Sequence, residues 1–429
     1  MGFSATCAVI AWAGLAAGAA GQVDSDVVLE SPLVELRIAR SPVPHVSRLV
    51  HKKSNTPLVS DPWDRDLFSI VLEGDDGARK TVAAGEARRS HVEVQALPGG
   101  RAAVIEWSDF PGADVTVRAT VRPAPAEPLL LWSIEIDNRT GQSLALVRFP
   151  RIAAVPKLGR PADDFLVLPA LPGVRIDDPA ANWPPGYGVT LRYPGQLSAQ
   201  FLAYQDRTAG VYLAGRDAGS HPMALGARRH KQGFLLWHEF TPVAARRGKW
   251  TAPYPVAVGA TQGTWRDSAD LYKRWAVRQP WCARTLARRD DVPAWWNEGP
   301  DVHVFEVRTY DKQRTASGSY YPRVMDHLRA YRQRIEGPVV AMLAGWENHR
   351  RWTAGDYFPV FDEAQARQVI ARMRAEGFRP FFFLSGLYYT FENEGRDGAA
   401  IAVPEKWMPH FVVDRKTGKP ATYTRHCIK

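Results

Sequence analysis

The sequence predicts a two-part chain, an antiparallel β-sandwich followed by the first half of a (β/α)8 TIM barrel. Three observations carry this expectation. Between about residues 27 and 260, short β-rich runs alternate with turns of Gly, Pro, Asp and Asn, the pattern of an antiparallel sandwich. At 264 the periodicity becomes helical. From 302 onward strand-like and helical segments alternate, which calls for parallel strands joined by helices.

Residues 1–20 carry no charged side chain, and the apolar stretch 7–15 runs into small residues with an Ala17-Gly18-Ala19 cleavage pattern. This is the outline of a secretory signal peptide, so a secreted or periplasmic location is expected. The stretch is too short to span a bilayer and no other run of about 18 apolar residues occurs, so no membrane span is expected in the mature chain. A sandwich domain is then expected over 21–262, with strands at 27–30, 34–38, 67–72, 91–94, 103–107, 115–121, 130–136, 201–204, 210–214 and 233–237. A helical linker is expected over 263–299, its helix at 264–276 capped by Asp267 or Ser268 and carrying Ala269, Tyr272 and Ala276 on one face.

Over 300–429 about three βα units of a partial barrel are expected. Strands fall at 302–307, 339–343 and 379–384. A helix at 321–335 has Pro322 in its first turn, and one at 362–376 is closed by Gly377. An open doubly wound sheet would need a Gly-rich turn after its first strand, and residues 308–312 contain no glycine.

Composition narrows the function. A chain with 45% hydrophobic and 23% charged residues is an ordinary globular protein. Three cysteines cannot staple 429 residues, so burial must build the core; Cys282 and Cys427 are expected as separate thiols, Cys282 as a small buried residue. The net charge of +10 suggests an acidic polymer. The basic residues are scattered, however, and zinc, RRM, KH and helix-turn-helix signatures are absent, so a solvated surface and no nucleic-acid partner are expected.

A barrel carries its chemistry on loops at the carboxyl ends of its strands, and there this chain concentrates aromatic and polar residues. The second loop holds Trp346, Glu347, Asn348, His349, Trp352, Asp356 and Tyr357, and the third holds Tyr388, Tyr389, Glu392 and Glu394. Sugars present apolar C–H faces and hydroxyls, which aromatic rings and carboxylates or imidazoles recognise. A carbohydrate partner is therefore expected. His303 and His349 lack a second ligand at metal-binding spacing, so no metal and no cofactor are expected, and without a Gly-x-Ser-x-Gly elbow no serine nucleophile is expected either.

The segment Leu271-Tyr272-Lys273-Arg274-Trp275-Ala276, with Gln279-Pro280-Trp281-Cys282 and Val292-Pro293-Ala294-Trp295, resembles secreted bacterial glycoside hydrolases that join a sandwich to a barrel. It is most similar to the family called domain of unknown function 6259, through Trp346 with Asp356-Tyr357-Phe358-Pro359, Glu376-Gly377 and the stretch 381–388. The resemblance covers roughly residues 260–429 and implies a sugar-cleaving (β/α)8 enzyme. A complete barrel takes about 250 residues, roughly twice those after position 300. In related glycosidases the two catalytic carboxylates come from later strands, so they are expected beyond Lys429 and the chain is expected to be a fragment. Glycosidases hold these groups about 5–9.5 Å apart. Glu347 and Asp356 share one loop and suit substrate hydroxyls better, while Glu306, inside a strand, either orients a sugar or pairs with an arginine. The expected substrate-binding residues are Glu306, Trp346, Glu347, His349, Asp356, Tyr357 and Tyr388, with no catalytic residue assigned. Two other readings stay open, a non-catalytic carbohydrate-binding protein and an acidic-polymer-binding protein.

Overall fold

A computed structural model gives the fold. It describes residues 26–299, except 98–99, 125–126, 156, 243–246, and then 303–308, 321–344, 346, 360, 362–384, 409, 412–413 and 417–419. The signal-peptide region, 1–20, lies outside the described residues. The chain divides into two compact units, Met1–Ala283 and Arg284–Lys429. No helix among the described residues is long and apolar enough to cross a membrane.

The first unit is built from antiparallel sheets of four, ten and six strands among the described residues. The four-stranded sheet runs in sequence order from Val27–Glu30 to Thr56–Ser60. The six-stranded sheet centres on Gly233–Phe240, paired with Met223–His230 and Ser143–Ala154. In the middle of the ten-stranded sheet lie Phe201–Gln205, Gly210–Gly215, Val256–Thr261 and Leu129–Asn138. One apolar cluster joins all three sheets, with Leu36 and Leu49 from the first, Val117 and Trp132 from the second, Ile70 and Leu236 from the third.

Three of these strands, Phe201–Gln205, Gly210–Gly215 and Val256–Thr261, are buried on both faces, which is why they read as largely apolar runs. Alternate residues go to different cores. Val211, Leu213, Val256 and Val258 enter the sandwich cluster, whereas Tyr212, Ala214 and Ala257 enter a second cluster on the opposite face.

The helix Trp265–Ala276 covers that second face. Its Leu271 is buried beside Phe165 and Phe201, with Tyr272 packed at the edge; burying a leucine side chain contributes about 1.5–3 kcal/mol. The helix expected as part of a linker is thus a layer of the first unit. Of the expected face, Ala269 and Tyr272 pack half-buried against this cluster, while Ser268 and Leu271 are the buried residues of the helix. The cap also differs. Thr264 is the N-cap, its hydroxyl accepting from Arg266 N, while Asp267 Oδ2 accepts from Thr264 N at 2.7 Å in a reciprocal capping box. Ser268 instead faces inward, bonding Thr261 Oγ1 at 3.0 Å and Gln205 Oε1. Thr264→Ala should cost about 1 kcal/mol, read as a lower denaturant midpoint of the first unit.

In the second unit three strands pair in parallel, His303–Arg308 with Val339–Ala344 and the latter with Arg379–Phe382. Helices Tyr321–Arg332 and Glu363–Ala375 connect them. Both helices pack on one face, where Val324, Leu328, Val369 and Met373 meet Val339, Ala341 and Leu343. The second helix ends as its sequence demands. Gly377 has φ +79°, Phe378 N donates to Met373 O and Gly377 N to Arg374 O, and the Phe378 and Met373 side chains share the core, completing a Schellman motif. Arg329 clamps this turn through both Glu376 carboxylate oxygens, at 2.8 and 2.5 Å. That bond holds the Glu376 carboxyl below its usual pKa.

Candidate functional site

The strand register places the sequence-predicted site. Glu306 pairs with Met342, and Met342 with Phe381; one row earlier, Val304 pairs with Val340 and Val340 with Arg379. These rows alternate with the positions that pack on the helices. The face they form is open to solvent at Val304 and Phe381, 56% and 42% exposed. Position 306 therefore lies in the rows of the face opposite the helices, two residues before its strand ends.

Trp346 sits two residues beyond the strand Val339–Ala344. It is 1% exposed, its ring lies 4.4 Å from that of Phe382, and its Nε1 donates to Phe383 O at 2.9 Å. The ring expected to stack on a sugar thus braces the carboxyl ends of two neighbouring strands. Glu347, His349, Asp356, Tyr357 and Tyr388 lie outside the described residues.

Other chemistry is structural. Cys282 is exposed, against the expectation of burial, because Pro280–Cys282 forms a single surface 3-10 turn after Gln279. Within the basic stretch 228–231, Arg228 donates to Gly186 O, Arg229 to Gly233 O, and His230 stacks on Trp63 at 3.9 Å. Those three side chains are engaged within the sandwich, which weakens their case as an acidic-polymer surface. Among the described residues, no group of three or more His, Cys, Asp or Glu could hold a metal ion.

Two fully buried imidazoles leave no signal in the sequence. His238 is fully buried in the strand Gly233–Phe240, its Nε2 3.3 Å from the Tyr254 hydroxyl, and burial pushes its pKa down to about 3. His51 is also fully buried, with its pKa lowered by burial and then by Lys53. Both lie in strands where a buried histidine leaves no periodic signal distinguishing it from a surface one.

Residues 250–408 match the family described as domain of unknown function (DUF6259). No curated protein matches the chain. Among solved structures, the α-N-acetylgalactosaminidase NagBb of Bifidobacterium bifidum in its GalNAc complex is similar at TM-score 0.61 and 13% identity, over 83% of this chain and 58% of that one. Its Gal-NHAc-DNJ complex gives 0.62 and 13% over 92% and 62%. The chain thus spans roughly three-fifths of the length of the structures it matches. What these likenesses establish is the fold: a sheet-rich first unit in the arrangement of a multi-domain glycosidase, with a domain-of-unknown-function segment matched from 250 to 408.

Proposed function

We propose that this protein is glycoside hydrolase-like and acts on or binds a carbohydrate, held by loops at the carboxyl ends of the parallel strands His303–Arg308, Val339–Ala344 and Arg379–Phe382. These strands open a (β/α)8 barrel. The observation that carries the reading is that, among the described residues, both helices pack on one face of the parallel sheet, while Val304 and Phe381 on the other face are exposed. A barrel keeps its helices outside and its site at the carboxyl ends, whereas a doubly wound sheet puts helices on both faces. Glu306, Glu347, His349 and Asp356 bond sugar hydroxyls and Tyr357 and Tyr388 stack on the ring, while Trp346 holds the strand ends that carry these loops. The chain works outside the cytoplasm, in keeping with its N-terminal leader pattern.

The α-N-acetylgalactosaminidase likeness makes α-linked N-acetylgalactosamine the first sugar to test. A glycan array followed by a reducing-sugar assay of the bound glycans checks the proposal. Saturable binding to a neutral glycan is expected. Released sugar identifies an enzyme and binding without release a carbohydrate-binding protein. Failure to bind any glycan, with no hydrolysis, would refute both forms of the reading.

A further inference from the structure

We propose that a cleft on the first unit, where the 51–54 turn, the 206–208 turn and the start of the helix Trp265–Ala276 meet, binds an acidic sugar bearing an oxyanion beside free hydroxyls. This site goes beyond the loops of the parallel sheet and does not depend on them. The cleft encloses about 350 Å³, within the range of about 300–1,000 Å³ typical of small-molecule sites.

Two cations line it, Lys53 and Arg207. Both are exposed, and neither takes part in an ion pair among the described residues. The nearby carboxylates are engaged internally. Asp267 Oδ2 accepts from the Thr264 backbone and hydroxyl at 2.7 and 2.9 Å. Asp206 Oδ1 accepts from Thr208 N and Ala209 N at 2.6 and 2.7 Å, which shapes the turn that presents Arg207 and Thr208. Lys53 and Arg207 are thus the charged lining groups whose side chains no bond or ion pair holds among the described residues.

A second, independent feature points to a ligand. His51 lines the cleft with no exposed surface, its Nδ1 lies 2.6 Å from Ser54 Oγ, and its Nε2 has no hydrogen-bond partner. Buried polar atoms are almost always bonded, so an occupant of the cleft is the natural partner for Nε2. Burial and the nearby Lys53 keep this imidazole uncharged at neutral pH, able to accept from a hydroxyl or donate to an oxygen according to its tautomer.

The neutral groups decide between a bare anion and a sugar. The Thr264 hydroxyl already accepts from Arg266 N at the helix start, which leaves a simple anion chiefly the two cations. Thr208 and Gln262, beside His51, instead offer the mixed donors and acceptors that ring hydroxyls need. Gly263, at φ +89°, is required here, because a side chain would meet the Asp267 carboxylate at 2.5 Å.

Calorimetric titration of the full chain at low salt tests the site with digalacturonic acid and galactose 6-sulfate, against neutral galactose and inorganic sulfate. Saturable binding of at least one acidic sugar is expected, with both controls much weaker. Arg207→Ala and Lys53→Ala should each weaken it about tenfold, as loss of a charge-assisted hydrogen bond does, with unchanged melting temperature. Gln262→Ala should weaken the sugar and leave sulfate unaffected. The proposal is overturned if neither acidic sugar binds, if Arg207→Ala leaves their affinity unchanged, or if sulfate or neutral galactose binds as tightly as they do.

Discussion

Trp346→Ala should destabilise the second unit by about 3–5 kcal/mol, the usual cost of truncating a buried tryptophan. The side chain is 1% exposed, packs on Phe382 at 4.4 Å and bonds Phe383 O. Its removal opens a cavity in the cluster that also holds Leu343 and Met373. It also unties the ends of two strands from which the proposed sugar-binding loops depart. Trp346→Phe keeps most of the packing and loses only the indole bond, so it should cost about 1 kcal/mol beyond its small loss of volume. Urea unfolding followed by far-UV circular dichroism and limited proteolysis distinguishes the units. The expected result is earlier cleavage and unfolding of the second unit with the first unchanged. An alanine variant as resistant as the wild type would mean that the ring does not brace the sheet.

The second large effect is a pH dependence. His238 is held neutral by burial, with a folded pKa of about 3 against an ordinary value of 6.5. Between these values the unfolded chain binds a proton that the folded chain excludes, so stability must fall as pH drops through that window. The slope is about 1.4 kcal/mol per pH unit, and the full loss near pH 3 is on the order of 4–5 kcal/mol. His51 acts in the same direction, whereas Asp64 and Asp164, whose carboxyls burial pushes up, act in the opposite one. The clean comparison is therefore wild type against His238→Gln, in which the shared terms cancel. At pH 7.5 the variant should be less stable or equal. By about pH 4 the difference should have moved in its favour by about 3 kcal/mol. Parallel stability curves across that range would show that His238 is not excluded from protonation.

Much of the architecture is legible in the chain, and the exceptions have physical causes. Strands with one face in the core, such as Val115–Pro123, alternate and announce themselves. Met223–His230 does not, because Gly226 interrupts it; a side chain there would lie 2.0 Å from the Trp237 ring on the paired strand. Ser143–Ala154 is broken in appearance by Pro150 and in fact by a register shift between Arg148 and Arg151. The parallel strands and their helices are readable down to Gly377, since the left-handed end of a helix selects glycine chemically.

The functional positions are less legible. The spacing that places an aromatic just beyond a strand end does not say whether its ring serves a ligand or the core, and Trp346 serves the core. The cleft lined by His51, Arg207 and Gln262 has no linear signature at all, because its residues come from three segments brought together only by the sheet order.

Loops at the carboxyl ends of the parallel strands are proposed above to hold a sugar. The most direct measurement is the affinity of the full chain for its best neutral glycan, compared among wild type, Asp356→Asn with Tyr388→Ala, and Arg207→Ala. A loss of about tenfold or more is expected in the loop variant, from a stacking ring and a charged hydrogen bond removed together, and no change for Arg207→Ala. A loop variant that binds the glycan as tightly as the wild type would contradict the proposal.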